Sequence, residues 1–122
     1  MTDSPRTDAG ARSRRSVPLV AALATASLLA LASAPRAEEI VIGQKGKTFS
    51  RIEVVLKKGD SIVFVNDDAV THSVFSRSPG FAFNLKVQKP GEQKVIVFER
   101  PGVASVRCAI HPKMELTVKV ED

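Results

Sequence analysis

The chain of 122 residues has one cysteine, two histidines, two methionines and neither tryptophan nor tyrosine. One cysteine excludes an internal disulfide and a dithiol redox site, so a lone thiol needs another explanation. No run of five basic residues occurs, which removes the usual footprint of a nucleic-acid binder. No internal repeat is visible. No segment carries a convincing helical period either, and turn residues punctuate most of the chain.

The formal charge of +5 is concentrated at the N-terminus. Residues 1–16 hold Arg6, Arg12, Arg14 and Arg15 against Asp3 and Asp8. An Ala- and Leu-rich run follows over residues 17–34, interrupted by Pro18, Thr25, Ser27 and Ser33. A basic start, an apolar middle and a small-residue end define a secretory signal peptide over 1–34. The competing reading, a membrane anchor, needs about 20 strongly apolar residues, and this run is shorter, with alanine its commonest residue. Ala30-Leu31-Ala32 and Ala32-Ser33-Ala34 both have the form of a cleavage site, and Arg14-Arg15 resembles a twin-arginine export signal. Residues 35–38 read as a linker and 39–122 as the functional domain. From Glu38 onward 13 Lys and Arg face 11 Asp and Glu, a net charge of +2. The expectation is a near-neutral, monomeric domain in the periplasm, with no stable membrane insertion after cleavage.

The remainder reads as short strands. Residues 39–43 form a first strand and 48–56 a second. Ser61–Asn66 is a third, with Ile62 and Phe64 on one face and Val63 and Val65 on the other, the pattern of a central strand. Residues 70–75 alternate with Val70, His72 and Val74 on one side. Residues 81–87 are a short extended piece, and 93–98, 103–108 and 114–120 complete the set. Seven or eight short strands with regular turns predict an all-β sandwich or barrel.

Three of the four soft or borderline metal-ligating side chains downstream of the leader lie in Cys108-Ala109-Ile110-His111-Pro112-Lys113-Met114, and the fourth is His72. Singly, a buried cysteine is a small hydrophobe and a methionine is core filler. Their clustering argues otherwise. Strand alternation puts Cys108 on the inward face with Ala104 and Val106, where a thiolate is unfavourable unless a cation compensates it. Two imidazoles and one thiolate make a trigonal set, and a thioether adds a weak axial contact. That is the ligand set of blue copper, one ion cycling between Cu(I) and Cu(II). Structural zinc makes little use of a thioether, so Met114 argues against it. Pro112 stiffens the turn between His111 and Met114 by holding its own φ.

The arrangement His72 … Cys108-x-x-His111-x-x-Met114 resembles the cupredoxin family, and its short loop is most similar to that of amicyanins. The resemblance covers residues 39–122. It implies a Greek-key β-sandwich with copper near one end and an exposed edge at His111, beside Pro112 and Lys113, through which electrons pass. It also implies redox partners, a dehydrogenase as donor and a c-type cytochrome as acceptor. Three positions depart from the family's usual pattern. Ser73 follows the first histidine in place of asparagine. Ala109 follows the cysteine in place of a hydroxyl residue that helps lock the two ligand loops, and Val106 replaces an aromatic.

The expected function is single-electron transfer rather than enzyme catalysis. A periplasmic copper carrier or store is the alternative, although such proteins more often show exposed Met or His clusters or a Cys-x-x-Cys pair. A structural β-domain that binds a protein partner is the third. Asp67 and Asp68 read as adjacent carboxylates in a solvated loop. Lys45, Lys47, Lys57, Lys58, Lys86, Lys89 and Lys94 read as solvated strand edges rather than a docking face.

Overall fold

The computed structural model describes residues 2–5, 10, 13–22 and 27–122. The chain divides into two units, Met1–Ala32 and Ser33–Asp122. The described residues of the first unit are exposed and form neither helix nor strand. Arg6, Asp8, Arg12 and Thr25, which contribute to the leader reading, lie outside the described residues. No helix among the described residues is long and apolar enough to cross a membrane.

The second unit is built entirely of strands: β1 Glu39–Lys45, β2 Thr48–Phe49, β3 Glu53–Lys57, β4 Ser61–Asn66, β5 Val74–Ser76, β6 Phe83–Asn84, β7 Gln93–Val97, β8 Gly102–Cys108 and β9 Glu115–Glu121. They form two sheets, ordered β2-β1-β4-β7 and β3-β9-β8-β5-β6. The expected all-β sandwich is therefore present. Two pairings are parallel, β1 with β4 and β3 with β9, and the remainder are antiparallel.

The ninth strand arises because residues 48–56 do not form one. Phe49 and Val54 are both buried, five positions apart, and a straight strand would turn them to opposite faces. The chain breaks at 50–52, leaving β2 on β1 and carrying β3 across to β9 in the other sheet. Residues 81–87 are also shorter than expected. Asn84 Oδ1 accepts the Lys86 amide at 2.8 Å, and Lys86 sits at φ 59, which ends β6 after Asn84.

Between the sheets lies one core. Ile42, Phe64, Phe98, Leu116 and Val118 are buried, and Ala104, Val106 and Cys108 point inward from β8. With no tryptophan or tyrosine, phenylalanine supplies the bulk. Phe64 packs against Phe49 and Phe83, and Phe83 in turn meets Phe98, with ring centroids 6.2–6.4 Å apart. Each fully buried apolar side chain stabilises the fold by roughly 1.5–3 kcal/mol.

Two local devices matter for the site. Gly46 at φ 62 and Lys47 at φ 58 make a two-residue hairpin between β1 and β2, the left-handed pair that suits the strand twist. Its tip aims the Lys47 amide at Asp68 Oδ2, 3.0 Å away. At the other end, Asp60 accepts the amides of Glu38 and Lys57, both at 2.8 Å. These bonds hold its carboxyl below the usual carboxylate range, the Glu38 amide most strongly.

Candidate metal centre

β8 ends at Cys108, β9 begins at Glu115, and residues 109–114 form the turn that carries His111 and Met114. Met114 donates its amide to the His111 carbonyl at 2.9 Å, which closes this turn. Beside it, β5 pairs Val74 with Cys108, so the residues just before β5 lie next to the cysteine. Ala109 donates its amide to Ser73 O at 2.8 Å, and Ser73 donates its own to Cys108 Sγ at 3.3 Å. The segments that carry His72 and Cys108 are thus joined through the main chain of Ser73, so Ala109 needs no hydroxyl to join them.

His72, Cys108 and His111 converge, and among the described residues they form a group that can hold a metal ion. His72 Nδ1 and His111 Nδ1 are 3.1 Å apart. Cys108 Sγ lies 3.7 Å from the first and 3.8 Å from the second. A point equidistant from three such atoms is about 2.1 Å from each, within the roughly 2.0–2.3 Å of first-row metal bonds to imidazole and thiolate. One proton can satisfy one side of this triangle; a cation satisfies all three. The donor set fits copper, soft at sulfur and borderline at nitrogen. Met114 is buried in the same core cluster as Cys108.

Asp68 was read from sequence as a solvated loop residue, and the structure corrects this. Its Oδ2 lies 3.0 Å from His72 Nε2, and its side chain is only 14% exposed. A carboxylate only accepts, so Nε2 carries a hydrogen, and Nδ1 is the nitrogen turned toward Cys108 and His111. The Lys47 amide chiefly, and His72 next, hold the Asp68 carboxyl below its ordinary range. The available signal was a carboxylate four residues before a histidine, at the exit of a central strand. His111, by contrast, has its imidazole pushed below the ordinary histidine range, first by burial and then by the charges of His72 and Lys47.

The site is closed on most sides. His72, Cys108 and Met114 are buried, while His111 is partly exposed. His111 borders a depression of about 460 Å³, lined with Ile110, Pro112, Lys113, Lys47 and Thr48. Lys47, expected at a solvated strand edge, belongs to this rim.

A His-Cys-His group with two members buried and His111 at the surface, at one end of a two-sheet β-sandwich, defines a metalloprotein of the copper-site type. No family model matches the chain. It is 32% identical over 104 residues to amicyanin-alpha of Methylorubrum extorquens, covering 83% of this chain and 87% of that protein. Among solved structures it resembles amicyanin from Paracoccus versutus at 26% identity and a TM-score of 0.63, over 68% of this chain and 81% of that one. The purple cupredoxin of Nitrosopumilus maritimus shares the fold at a TM-score of 0.60 and 24% identity, over 67% of this chain and 99% of that one. The chain belongs to the cupredoxin family.

Proposed function

We propose that this protein is an exported type 1 copper protein that shuttles single electrons. His72 Nδ1, Cys108 Sγ and His111 Nδ1 hold the ion, and the Met114 thioether is its axial contact. The observation that carries this reading is the triangle of three donor atoms, 3.1, 3.7 and 3.8 Å on its sides, assembled in the protein itself. Bound copper supplies a one-electron couple. The chain's own residues do the remainder: Asp68 orients His72, the Ser73 amide steadies the Cys108 sulfur, and the core excludes water from both. Ligands this constrained move little between oxidation states, which favours transfer over catalysis.

The partly exposed His111 beside its apolar depression is the natural entry and exit for the electron. By analogy with amicyanin, a dehydrogenase is the donor and a c-type cytochrome the acceptor, with the protein a monomer in the periplasm. Residues 1–34 are the cleaved signal peptide and 35–38 the linker to the domain at 39–122. The burial of His72 and Cys108 speaks against a copper carrier, which releases its ion by exchange through accessible ligands.

The test is to add Cu(II) to the protein and to Cys108→Ser and record visible spectra. An intense thiolate-to-copper band in the first, absent from the second, is the expected result. Colourless protein, or a variant of unchanged colour, overturns the copper reading. Copper that binds with the band yet exchanges no electrons with small redox reagents supports carriage instead. N-terminal sequencing of the exported protein checks the leader, with a start at residues 33–35 expected.

A further inference from the structure

Three buried carboxamides, Gln44, Asn66 and Gln88, lie behind His72, all with no exposed surface. The ligand set uses none of them. Gln88 exchanges two main-chain bonds with His72, at 3.1 and 2.7 Å, as an isolated bridge outside the strands. Its Nε2 donates to Phe64 O at 3.1 Å and more weakly to Glu92 O at 3.4 Å, and its Oε1 accepts Gln44 Nε2 at 3.1 Å. Asn66 donates to Gln88 O at 3.0 Å and to Val70 O at 2.9 Å, while its Oδ1 accepts the Asp68 amide at 2.9 Å. His72 is therefore gripped twice, by its backbone through Gln88 and by its ring through Asp68, and Asn66 joins the two grips.

We propose that Gln88 is a positioning residue for the His72 ligand, its carboxamide anchoring to β4 a segment that has no strand ladder of its own. The inference rests on His72 being a metal ligand, as proposed above. Lys86 at φ 59 ends β6, and Pro90 and Gly91 follow, so the bridge to His72 stands alone and no ladder continues it on either side of Gln88. Main-chain bonds tie Gly91 and Glu92 to Asn66 at the end of β4, at 2.8 and 3.0 Å, and the Gln88 side chain adds a second tie at Gln88 itself, by bonding to the carbonyl of Phe64 in the central strand. Gln44 points to the same role. Its Oε1 is, among the described residues, the one buried side-chain polar atom without a hydrogen-bond partner. A purely packing role at that position is better filled by an apolar side chain, which leaves no orphan oxygen. Gln44 instead commits its amide to Gln88.

The experiment compares wild type with Gln88→Met and with Val54→Ala, a core truncation in the other sheet that serves as a stability control. Two readouts are taken: hydrogen exchange of the His72 amide in the metal-free protein, and the Cu(II) electron paramagnetic resonance and visible spectra after loading. Gln88→Met is expected to speed His72 exchange about tenfold beyond the control, because local opening no longer breaks the carboxamide bonds. It is also expected to shift the copper spectra, whereas Val54→Ala leaves them at wild-type values. Gln44→Met, which removes only the outer bond, should give a smaller change in the same direction and serves if Gln88→Met does not fold. His72 exchange no faster than in the control, with unshifted spectra, overturns the proposal. Wild-type protein that takes up no copper overturns the ligand reading alone, since the exchange readout needs no metal.

Discussion

Asp68 and His72 share a hydrogen bond from Nε2 to Oδ2 at 3.0 Å, and the same oxygen also receives the Lys47 amide at 3.0 Å. One carboxylate oxygen thus couples the tip of the β1–β2 hairpin to a ring that faces the centre. Asp68→Ala removes the acceptor that holds the His72 hydrogen on Nε2 and lets the ring turn. With His72 a ligand as proposed, copper affinity is expected to fall by about 10–100-fold, the usual effect of removing an outer partner from a ligating histidine. Competition against a chelator of known affinity measures it, with the circular dichroism of the β-sandwich unchanged. An affinity within twofold of wild type contradicts the coupling.

Acid should destabilise the metal-free domain in two steps. The His111 imidazole is lowered in the fold, so its contribution is complete above the unfolded value of about 6.5 and is lost as pH falls from there to the folded value. The Asp60 carboxyl is likewise lowered, so its contribution is intact above about 3.9 and is lost as pH falls towards its folded value. Urea midpoints between pH 8 and 3 should therefore fall first near neutrality and again below about pH 4. His111→Phe should remove the upper step, and Asp60→Asn should shrink the lower one, to which the lowered carboxyls of Asp68 and Asp122 also contribute. A single step unaffected by either substitution contradicts this assignment.

Gly102 begins β8 at φ 144, and a Cβ there would lie 2.8 Å from a ring carbon of Phe81. Both the backbone conformation and the ring oppose a side chain. Gly102→Ala is expected to cost about 1–3 kcal/mol, read from denaturant unfolding of the metal-free protein. The copper spectrum should be unaffected, because Cys108 lies at the far end of the same strand.

Lys113 and Lys47 border the depression beside His111, and no salt bridge engages either among the described residues. An anionic oxidant such as hexacyanoferrate(III) should be drawn to this rim. Lys113→Glu is expected to slow oxidation of the reduced copper protein by about threefold or more at low salt, with the difference shrinking as ionic strength rises. Stopped-flow traces at two salt concentrations check it. Equal rates at low salt mean that electrons leave elsewhere.

Much of this was legible in the residues. β4 was read to its ends, because a strand with apolar residues on both faces and a polar loop after it has few alternatives. The convergence of Cys108 and His111 followed from a turn too short to part them. The split of residues 48–56 was harder to see, since only the five-residue interval between Phe49 and Val54 betrays it. The shortening of 81–87 hinges on Lys86 adopting positive φ, which a lysine does not advertise. Asp68 was missed because its burial depends on Lys47, 21 residues earlier in the chain, reaching it through the hairpin tip. The carboxamide cluster was invisible for the same reason: Gln44 and Gln88 are 44 positions apart and meet only in three dimensions.

β9 lies between β3 and β8, and the turn bearing His111 and Met114 leads directly into it. Without β9 the second sheet is two pieces: β3 alone, and the trio β8-β5-β6. The only tie between β3 and the strand that carries Cys108 within this sheet is therefore β9. Closure of the sheet and the downstream anchorage of the His111–Met114 turn depend on the same strand.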